Sequence, residues 1–437
     1  MSFDPLLSRV TPHTPRPHSY WLSTAALPEH APLKKDCRTD FLVIGGGYTG
    51  LSAALTLAEA DQNVMLIDAH DVGFGCAGRN AGFVLTGTGR LGADAIAKKW
   101  NATVAEGMQR EFEQAVTLLN ARISQYGIDC DAMHGPYIKI AHSRKHAARL
   151  EASVQGTSNT FVSATALNDI LRIQGSYGAV IQDGQTVNPL KLAAGLARAA
   201  VSRGATLYGG TPALNLQRHT DHVVVTTPHG SINAKHVLIA TNAYTPPTFD
   251  KAVDSRQFPV QSSILVTSPL TEAQQQETGL NRPMSMMDTR MMKYYYRTLP
   301  DGRLLFGGRG AVTGKHASAS SEKQRLMRAM LNSFPALNGI SMDYFWSGWV
   351  SVSLDSLPRI YTEPDAPVGY AMGYCGSGVS FAGLAGTRLA QRMLQGQSAE
   401  QCDHTLPLYS SPLPRYPLAG LRRLGLRALY TWAKFAE

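Results

Sequence analysis

The chain has 437 residues, 44% hydrophobic and 17% charged, enough to bury one or two cores and far from the composition of a disordered chain. Its net charge of +9 comes from Lys and Arg scattered along the sequence with one concentration near the C-terminus, and no helix-turn-helix or zinc spacing accompanies it, so neither nucleic acid nor a metal is expected. Five cysteines without a CxxC pair exclude a disulfide framework and suit the reducing cytoplasm, and neither a signal-peptide core nor an apolar run of membrane-spanning length occurs.

Residues 1–36, rich in Pro, His and Ser, read as an extended arm that docks through Tyr20 and Trp21. The stretch FLVIGGGYTGLSAALTLA (41–58) follows. An apolar run breaks into glycines and resumes with small residues at helical spacing, which predicts a strand, a tight turn and a helix. Gly45 lets the chain leave the strand, Gly47 lets a phosphate approach the backbone, and Gly50 lets the helix lie close to the strand. Tyr48 and Thr49 open the helix, whose unpaired N–H groups suit an anion. NVMLID then reads as a second buried strand, and Asp68 stands where a carboxylate accepts from ribose hydroxyls. Glycine turns also serve packing alone, and a solvated strand end is the alternative for Asp68.

The glycine spacing of VGFGCAGRNAGF (72–83) predicts a loop containing Cys76, Arg79, Asn80 and Ala81, with Arg79 and Asn80 offering donors to a pyrophosphate; a surface loop with a solvated Arg is the alternative. A long helical pattern covers 93–127, YIKIAHS reads as a strand, and Asn188 and Pro189 read as the cap and first turn of another helix. Beyond it, HVVVTTPHGSINAKHVLIATNAY (222–244) divides into three strands, the last breaking at Ala240 and Thr241. KYYYRTLPDGRLLFGG (293–308) reads as a hairpin turned at Pro300–Gly302, with Tyr294 and Tyr296 on one face and Tyr295 and Arg297 on the other. GYCGSGV (373–379) repeats the opening idea, and Gly376, Ser377, Gly378 and Val379 begin a helix whose N–H groups can face an electron-rich carbonyl.

Taken in order, VIGGGYTGLSAA, VGFGCAGRNAGF, VLIATNAY, YYYRTLPDGRLLFGG and GYCGSGV resemble the FAD-dependent amine and amino-acid oxidoreductases of the D-amino-acid oxidase type, and within them the gamma-glutamylputrescine oxidoreductase branch. The resemblance implies an α/β fold: a Rossmann-like FAD-binding domain of glutathione-reductase type with an α+β substrate domain built on an antiparallel sheet. Segments 37–92, 183–250 and 344–405 are assigned to the first, 93–182 and 251–343 to the second, and 406–437 to a C-terminal amphipathic helix. It places the Cys76–Ala81 loop against FAD, aims the helix after Gly376 at the pyrimidine end of the flavin, and makes the backbone of Ala213 a candidate for the adenine, with Ala240 and Thr241 beside the dinucleotide. Ala77 stands where the family often has Ser, and Ser377 replaces a His common in the branch.

The chemistry implied is hydride transfer from a carbon bearing an amine to flavin N5, giving an imine that water hydrolyses to a carbonyl and ammonia. The cofactor carries the difficult step, so the sequence needs no triad or paired carboxylates, and no catalytic side chain is assigned. Tyr295, Tyr296, Arg297, Trp346 and Cys375 are the candidates for the substrate pocket, although core packing also accounts for large aromatics. The expected partners are a small amine or amino acid, most simply a gamma-glutamylputrescine-like amine of polyamine catabolism, and O2 or a quinone as electron acceptor. In LAGLRRLGLRALYTWAKF, residues Leu421, Leu424, Ala428, Trp432 and Phe435 form one stripe flanked by Arg422, Arg423, Arg427 and Lys434. Docking on the body is the preferred reading of that helix; peripheral contact with the inner face of the membrane, as in a quinone-linked dehydrogenase, is the alternative. A non-catalytic flavin-binding protein is a third reading. An NAD-dependent dehydrogenase would leave the Arg79 loop and the GYCGSGV turn without work.

Overall fold

The apolar run at 41–44 is buried on both faces, which is what a strand inside a parallel sheet requires. In the computed structural model, which describes residues 3–395 and 402–436, Cys37–Ile44 lies between Val64–Ile67 and Gly230–Ile239, parallel to both. Val368–Met372 adds beyond Gly230–Ile239 and Thr206–Tyr208 beyond Val64–Ile67, also parallel. Antiparallel strands Arg359–Thr362, Val223–Thr227 and Asn215–Arg218 complete an eight-stranded sheet. Neighbouring strands thus come from opposite ends of the chain.

The helices that cover this sheet follow local chemistry. Tyr48–Glu59 starts at Gly47; Pro189–Ser202 starts at Asn188, whose side chain accepts from the N–H groups of Leu190 and Lys191. Gly378–Gln395 packs against Tyr48–Glu59 so closely that a Cβ on Gly386 would stand 2.0 Å from the Thr49 carbonyl oxygen. A Cβ on Gly50 would stand 1.9 Å from the Gly45 carbonyl oxygen, and Gly45 itself has φ of 116°.

A nine-stranded sheet, mostly antiparallel, forms the second layer: Met342–Val352, Phe258–Thr267, Leu304–Arg309, Tyr295–Thr298, Ser285–Asp288, Met133–Ile140, Ala179–Thr186 and Phe83–Val84 in spatial order, with Thr160–Val162 on Ala179–Thr186. The 295–309 hairpin forms as the alternation predicts. One side of this sheet buries Ile138, Met286, Tyr296 and Phe306 under the helix Ser320–Ser333. Its other side faces the first sheet.

The sequence reading differs from this at several places. Phe83–Val84, Ala179–Thr186 and Met342–Val352 belong to the second sheet, so Phe83–Val84 falls outside the sheet of the segment that ends at 92, and the borders at 183 and 344 cut across strands whose partners are distant in sequence. Residues 396–401, assigned to the dinucleotide segment, lie outside the described residues. Gly230–Ile239 is one strand where two are expected. Its first half pairs with Val223–Thr227, and its second half is buried between parallel strands, so the apolar pattern changes midway. The pattern at 93–127 divides into Ala93–Lys99 and Ala102–Gln125 because Asn101 caps the second helix through the Val104 N–H at 2.8 Å.

Helix Arg422–Ala436 docks, but through a different face from the stripe read in the sequence. Leu426, Leu429 and Tyr430 pack against Phe258 and Val260, while Leu421, Leu424 and Trp432 are more than half exposed. Arg422 fixes the rotation by donating to the Gln257 carbonyl at 2.6 Å, and Arg423 pairs with Asp4. The side chains of Lys434 and Phe435 lie outside the described residues. Among the described residues no helix is long and apolar enough to cross a membrane.

Replacing Gly50 with Ala adds helix propensity of about 1 kcal/mol, but its methyl meets a backbone oxygen that cannot move without the strand. The clash wins. Gly50→Ala is expected to lower the unfolding free energy by about 1–3 kcal/mol, the range for overpacking, read as a lower urea midpoint at constant slope; an unchanged midpoint would contradict this packing.

Candidate active site

A cavity of about 930 Å³ lies between the carboxyl ends of the parallel strands and one face of the second sheet. That is the side of an open parallel sheet where the strand ends leave a crevice. Gly45, Gly47, Tyr48, Thr49, Asp68, Ala213, Ala240 and Thr241 line it, each within a few residues after a parallel strand. Gly50 does not; it sits under the turn and supports it. Asp68 accepts from the Gly46 N–H at 2.7 Å and the His70 N–H at 2.8 Å. Burial raises its pKa, opposed by those two hydrogen bonds, and each oxygen retains a lone pair. The Tyr48 hydroxyl lies 3.0 and 2.8 Å from the carbonyls of Ala77 and Pro189, a brace between elements.

The 74–82 loop forms the next stretch of wall, with Cys76, Arg79, Asn80 and Ala81 all on the cavity. Two indoles hold it from behind: Trp346 Nε1 donates to the Arg79 carbonyl at 2.9 Å and Trp21 Nε1 to the Asn80 carbonyl at 2.8 Å. Asn80 does not offer its donors to a ligand as expected, because its amide already donates to the carbonyls of Cys76 and Ala77 and accepts from the Gly82 N–H. Arg79 differs. Its Nε donates to the Phe74 carbonyl at 2.8 Å and its plane lies over the Phe74 ring, while buried Nη2 has no partner. Burial pushes the Cys76 thiol up to about 11, so it is protonated at neutral pH.

The Cys375–Val379 turn closes the wall. Cys375, with φ of 53°, and Gly376, with φ of 109°, swing the chain so that the helix beginning at Gly378 points its first turn at the cavity. The Ser377 hydroxyl turns back to the Tyr374 carbonyl at 2.8 Å, and the Cys375 sulfur faces Ser353 and the Gly373 carbonyl rather than open space. Tyr374, unrecognised in the sequence, ties both glycine turns together through its hydroxyl, 2.6 Å from Thr49 Oγ1.

Across from these turns the second sheet presents Tyr137, Lys139, Gln182, Tyr295, Gly348 and Val350, the alternate positions that period-two geometry puts on one face. The Tyr295 hydroxyl is fixed 2.7 Å from Ser262 Oγ, and burial pushes its pKa up to about 12. Three other pocket candidates lie elsewhere. Tyr296 points to the opposite face, stacked on Phe306 and edge-on to Phe334. Arg297 is fully buried, donates to the carbonyls of Ala81 and Val187 at 3.1 and 2.9 Å, and is lowered to about 9 by desolvation. Trp346 is spent on the Arg79 carbonyl. The sequence reading also passed over Lys139, Lys293, Arg309 and Arg90, all on the cavity. A lysine alternating with apolar residues in YIKIAHS was the available signal.

Residues 40–392 match the DAO family, described as FAD dependent oxidoreductase. The gamma-glutamylputrescine oxidoreductase of Escherichia coli (strain K12) is 32% identical over 426 residues, covering 95% of this chain and 95% of that protein. The glycine oxidase of Bacillus licheniformis is 26% identical over 372 residues, covering 82% of this chain and 93% of that protein. The fold is that of glycine oxidase from Geobacillus kaustophilus, whose crystal structure superposes with a TM-score of 0.71 at 20% identity over 87% of this chain and 99% of that one. With a match across most of its length and a cavity built from two glycine turns on one parallel sheet, the chain belongs to the DAO family of FAD dependent oxidoreductases.

Proposed function

We propose that the chain oxidises a carbon–nitrogen bond of a small amine or amino acid, with a gamma-glutamylputrescine-like amine as the first candidate and O2 or a quinone as electron acceptor. The observation that carries this reading is a single cavity running from the Gly45–Thr49 turn to the Gly376–Val379 turn and on to Tyr295. The residues present fit FAD. The protein atom nearest to a Cβ on Gly47 is Ala77 Cβ at 3.9 Å, so packing does not demand that glycine, and Arg79 Nη2 is an orphan donor in the same wall.

In this reading the first sheet binds the dinucleotide and the second binds substrate. The turn at Gly45, Gly47, Tyr48 and Thr49 receives the pyrophosphate at a helix N-terminus, Asp68 receives ribose hydroxyls, and Ala213 faces the adenine with Ala240 and Thr241 alongside. Bound FAD supplies the two-electron acceptor that takes hydride from the carbon beside nitrogen, leaving an imine for water to hydrolyse. The chain's own contribution is placement and charge. Gly376, Gly378 and Val379 aim unpaired N–H groups where negative charge accumulates, Ser377 holds the turn through its N–H to the Tyr374 carbonyl at 3.0 Å, and Arg79 adds a cation from the loop pinned by Trp21 and Trp346. Tyr295, held by Ser262, walls the substrate space together with the backbone of Cys375. The thiols of Cys76 and Cys375 are held above their ordinary pKa by burial, so neither competes as a nucleophile.

One observation favours the membrane-linked form of this reading. Leu418, Leu421, Leu424 and Trp432 are exposed on and just before the C-terminal helix, beside exposed Arg427, and Trp432 also lies on the cavity. An apolar face with basic neighbours suits an anionic lipid surface. Co-sedimentation with vesicles containing anionic lipid, lost in Leu424→Asp/Trp432→Asp, is the expected result; equal recovery of both proteins with and without vesicles would leave a soluble enzyme.

Anaerobic mixing of the yellow protein with gamma-glutamylputrescine, putrescine, glycine, sarcosine and D-amino acids tests the activity. Bleaching of the flavin by one of them is expected, with fast recovery in air for an oxidase and slow recovery for a dehydrogenase; a spectrum unmoved by every amine supports a non-catalytic flavin protein. Gly47→Val tests the site itself. Its apo form should unfold within about 0.5 kcal/mol of the native chain, while FAD affinity falls at least about tenfold, ~1.4 kcal/mol, in a fluorescence titration. Unchanged affinity would remove the turn from the FAD site.

A further inference from the structure

The N-terminal arm is fixed at two places and loosely held between them. Near its start Asp4 is buried, accepts from the Gly314 N–H at 2.7 Å and pairs with Arg423. Further on, Ser19, Tyr20 and Trp21 are buried, and Trp21 holds the Asn80 carbonyl. From Leu6 to His18 only Val10 is buried. Arginines tie this span to the body at both of its ends: Arg9 Nη1 donates to the Leu214 carbonyl at 2.8 Å, and Arg16 Nη2 to the Val72 carbonyl at 3.4 Å. The Arg16 guanidinium also lies 5.7 Å from the centroid of the Phe74 ring that carries Arg79. Between the arginines, Pro12 and Pro15 restrict the backbone, and the Thr14 N–H closes a turn on the Thr11 carbonyl at 3.0 Å.

Beneath this span lies the end of the cavity assigned to adenosine. The Thr211 N–H donates to the Asp68 carbonyl at 2.8 Å, so the segments that follow Val64–Ile67 and Thr206–Tyr208 form one floor. Arg9 reaches one of these segments and Arg16 the other. A Cβ on Gly210 would stand 3.8 Å from Pro12 Cβ. Arg9, Val10 and Thr11 line the cavity, yet Arg9 and Thr11 are exposed, which puts the arm between the cavity and solvent. We propose that residues 9–16 form a strap over the adenosine end of the cavity, held by Arg9 and Arg16 as positioning residues, and that FAD enters and leaves only when the strap lifts. The inference rests on the reading that this cavity holds FAD, with its ribose at Asp68 and its adenine at Ala213. A span with one buried side chain opens without unfolding either sheet. The prolines limit the freedom that the open strap gains, which favours the closed form.

The flavin-loaded Pro12→Cys/Gly210→Cys variant tests this. The 3.8 Å between the two Cβ positions suits a disulfide, and the left-handed φ of 55° at Gly210 strains the oxidised and reduced forms alike. The oxidised pair should release FAD at least about tenfold more slowly than the reduced pair, read as flavin fluorescence after dilution. A pair that does not cross-link, or a cross-linked protein that releases FAD as fast as its reduced form, overturns the strap. Arg9→Ala/Arg16→Ala removes both tethering hydrogen bonds and should speed release about tenfold, with the melting temperature of the apo-protein unchanged. An unchanged rate, or a faster one matched by a lower apo melting temperature, overturns the positioning role of the arginines. Loss of FAD from Gly47→Val together with a cross-link that leaves release unchanged keeps the cavity as the FAD site and overturns the strap. A cross-link that traps a flavin no amine bleaches upholds the strap and overturns the amine oxidation.

Discussion

A Cβ on Gly386 would stand 2.0 Å from the Thr49 carbonyl oxygen, and one on Gly50 would stand 1.9 Å from the Gly45 carbonyl oxygen. The first approach brings together helices whose sequences begin more than three hundred residues apart, Tyr48–Glu59 and Gly378–Gln395, and the second seats Tyr48–Glu59 on its own turn. Because both helices start at the carboxyl end of the same parallel sheet, their N-termini come to one cavity. The hydrogen bond between Tyr374 and Thr49 fixes the two turns relative to each other. A larger residue at Gly386 would separate the helices and with them the two groups of unpaired N–H donors, and one at Gly50 would lift the first helix from its turn.

Electrostatics then divides the cavity. The glycine turns offer partial positive charge through backbone dipoles, which suits a phosphate or a ring carbonyl without burying a formal charge. The second sheet contributes whole charges on side chains, Lys139 and Arg309. Between them stands the 74–82 loop, whose carbonyls are held by two indoles, so that Arg79 presents its free Nη2 from a fixed backbone. Trp21 comes from the N-terminal arm, which therefore takes part in shaping the site, and Arg9, Val10 and Thr11 of the same arm also line the cavity.

The parallel layer was legible in the sequence because each of its parts has a local cause: glycines where the chain turns, a fully apolar run where a strand is buried on both faces, and an Asn-Pro pair where a helix begins. The hairpin at 295–309 was legible through its alternation and its PDG turn. The substrate side was less so. Strand alternation separated Tyr295 from Tyr296 but does not say which face meets the cavity, and that depends on a sheet whose neighbours, such as Met133–Ile140 beside Ser285–Asp288, are remote in sequence. Arg297 shares a face with Tyr295 yet lies beyond the cavity, bonded to carbonyls at 81 and 187 that no spacing rule connects to it. The C-terminal helix misled for a related reason. It is apolar on two sides, and only the contact with Phe258 and Val260 selects the buried one.

The most direct measurement is a crystal structure of the protein as purified, with its flavin. The account predicts one extended FAD in the cavity, its pyrophosphate over the N–H groups of residues 47–49, its ribose at Asp68, and the flavin ring ending at Gly376–Val379 opposite Tyr295. A dinucleotide that leaves the Gly376–Val379 turn empty, or a flavin bound outside this cavity, would contradict it.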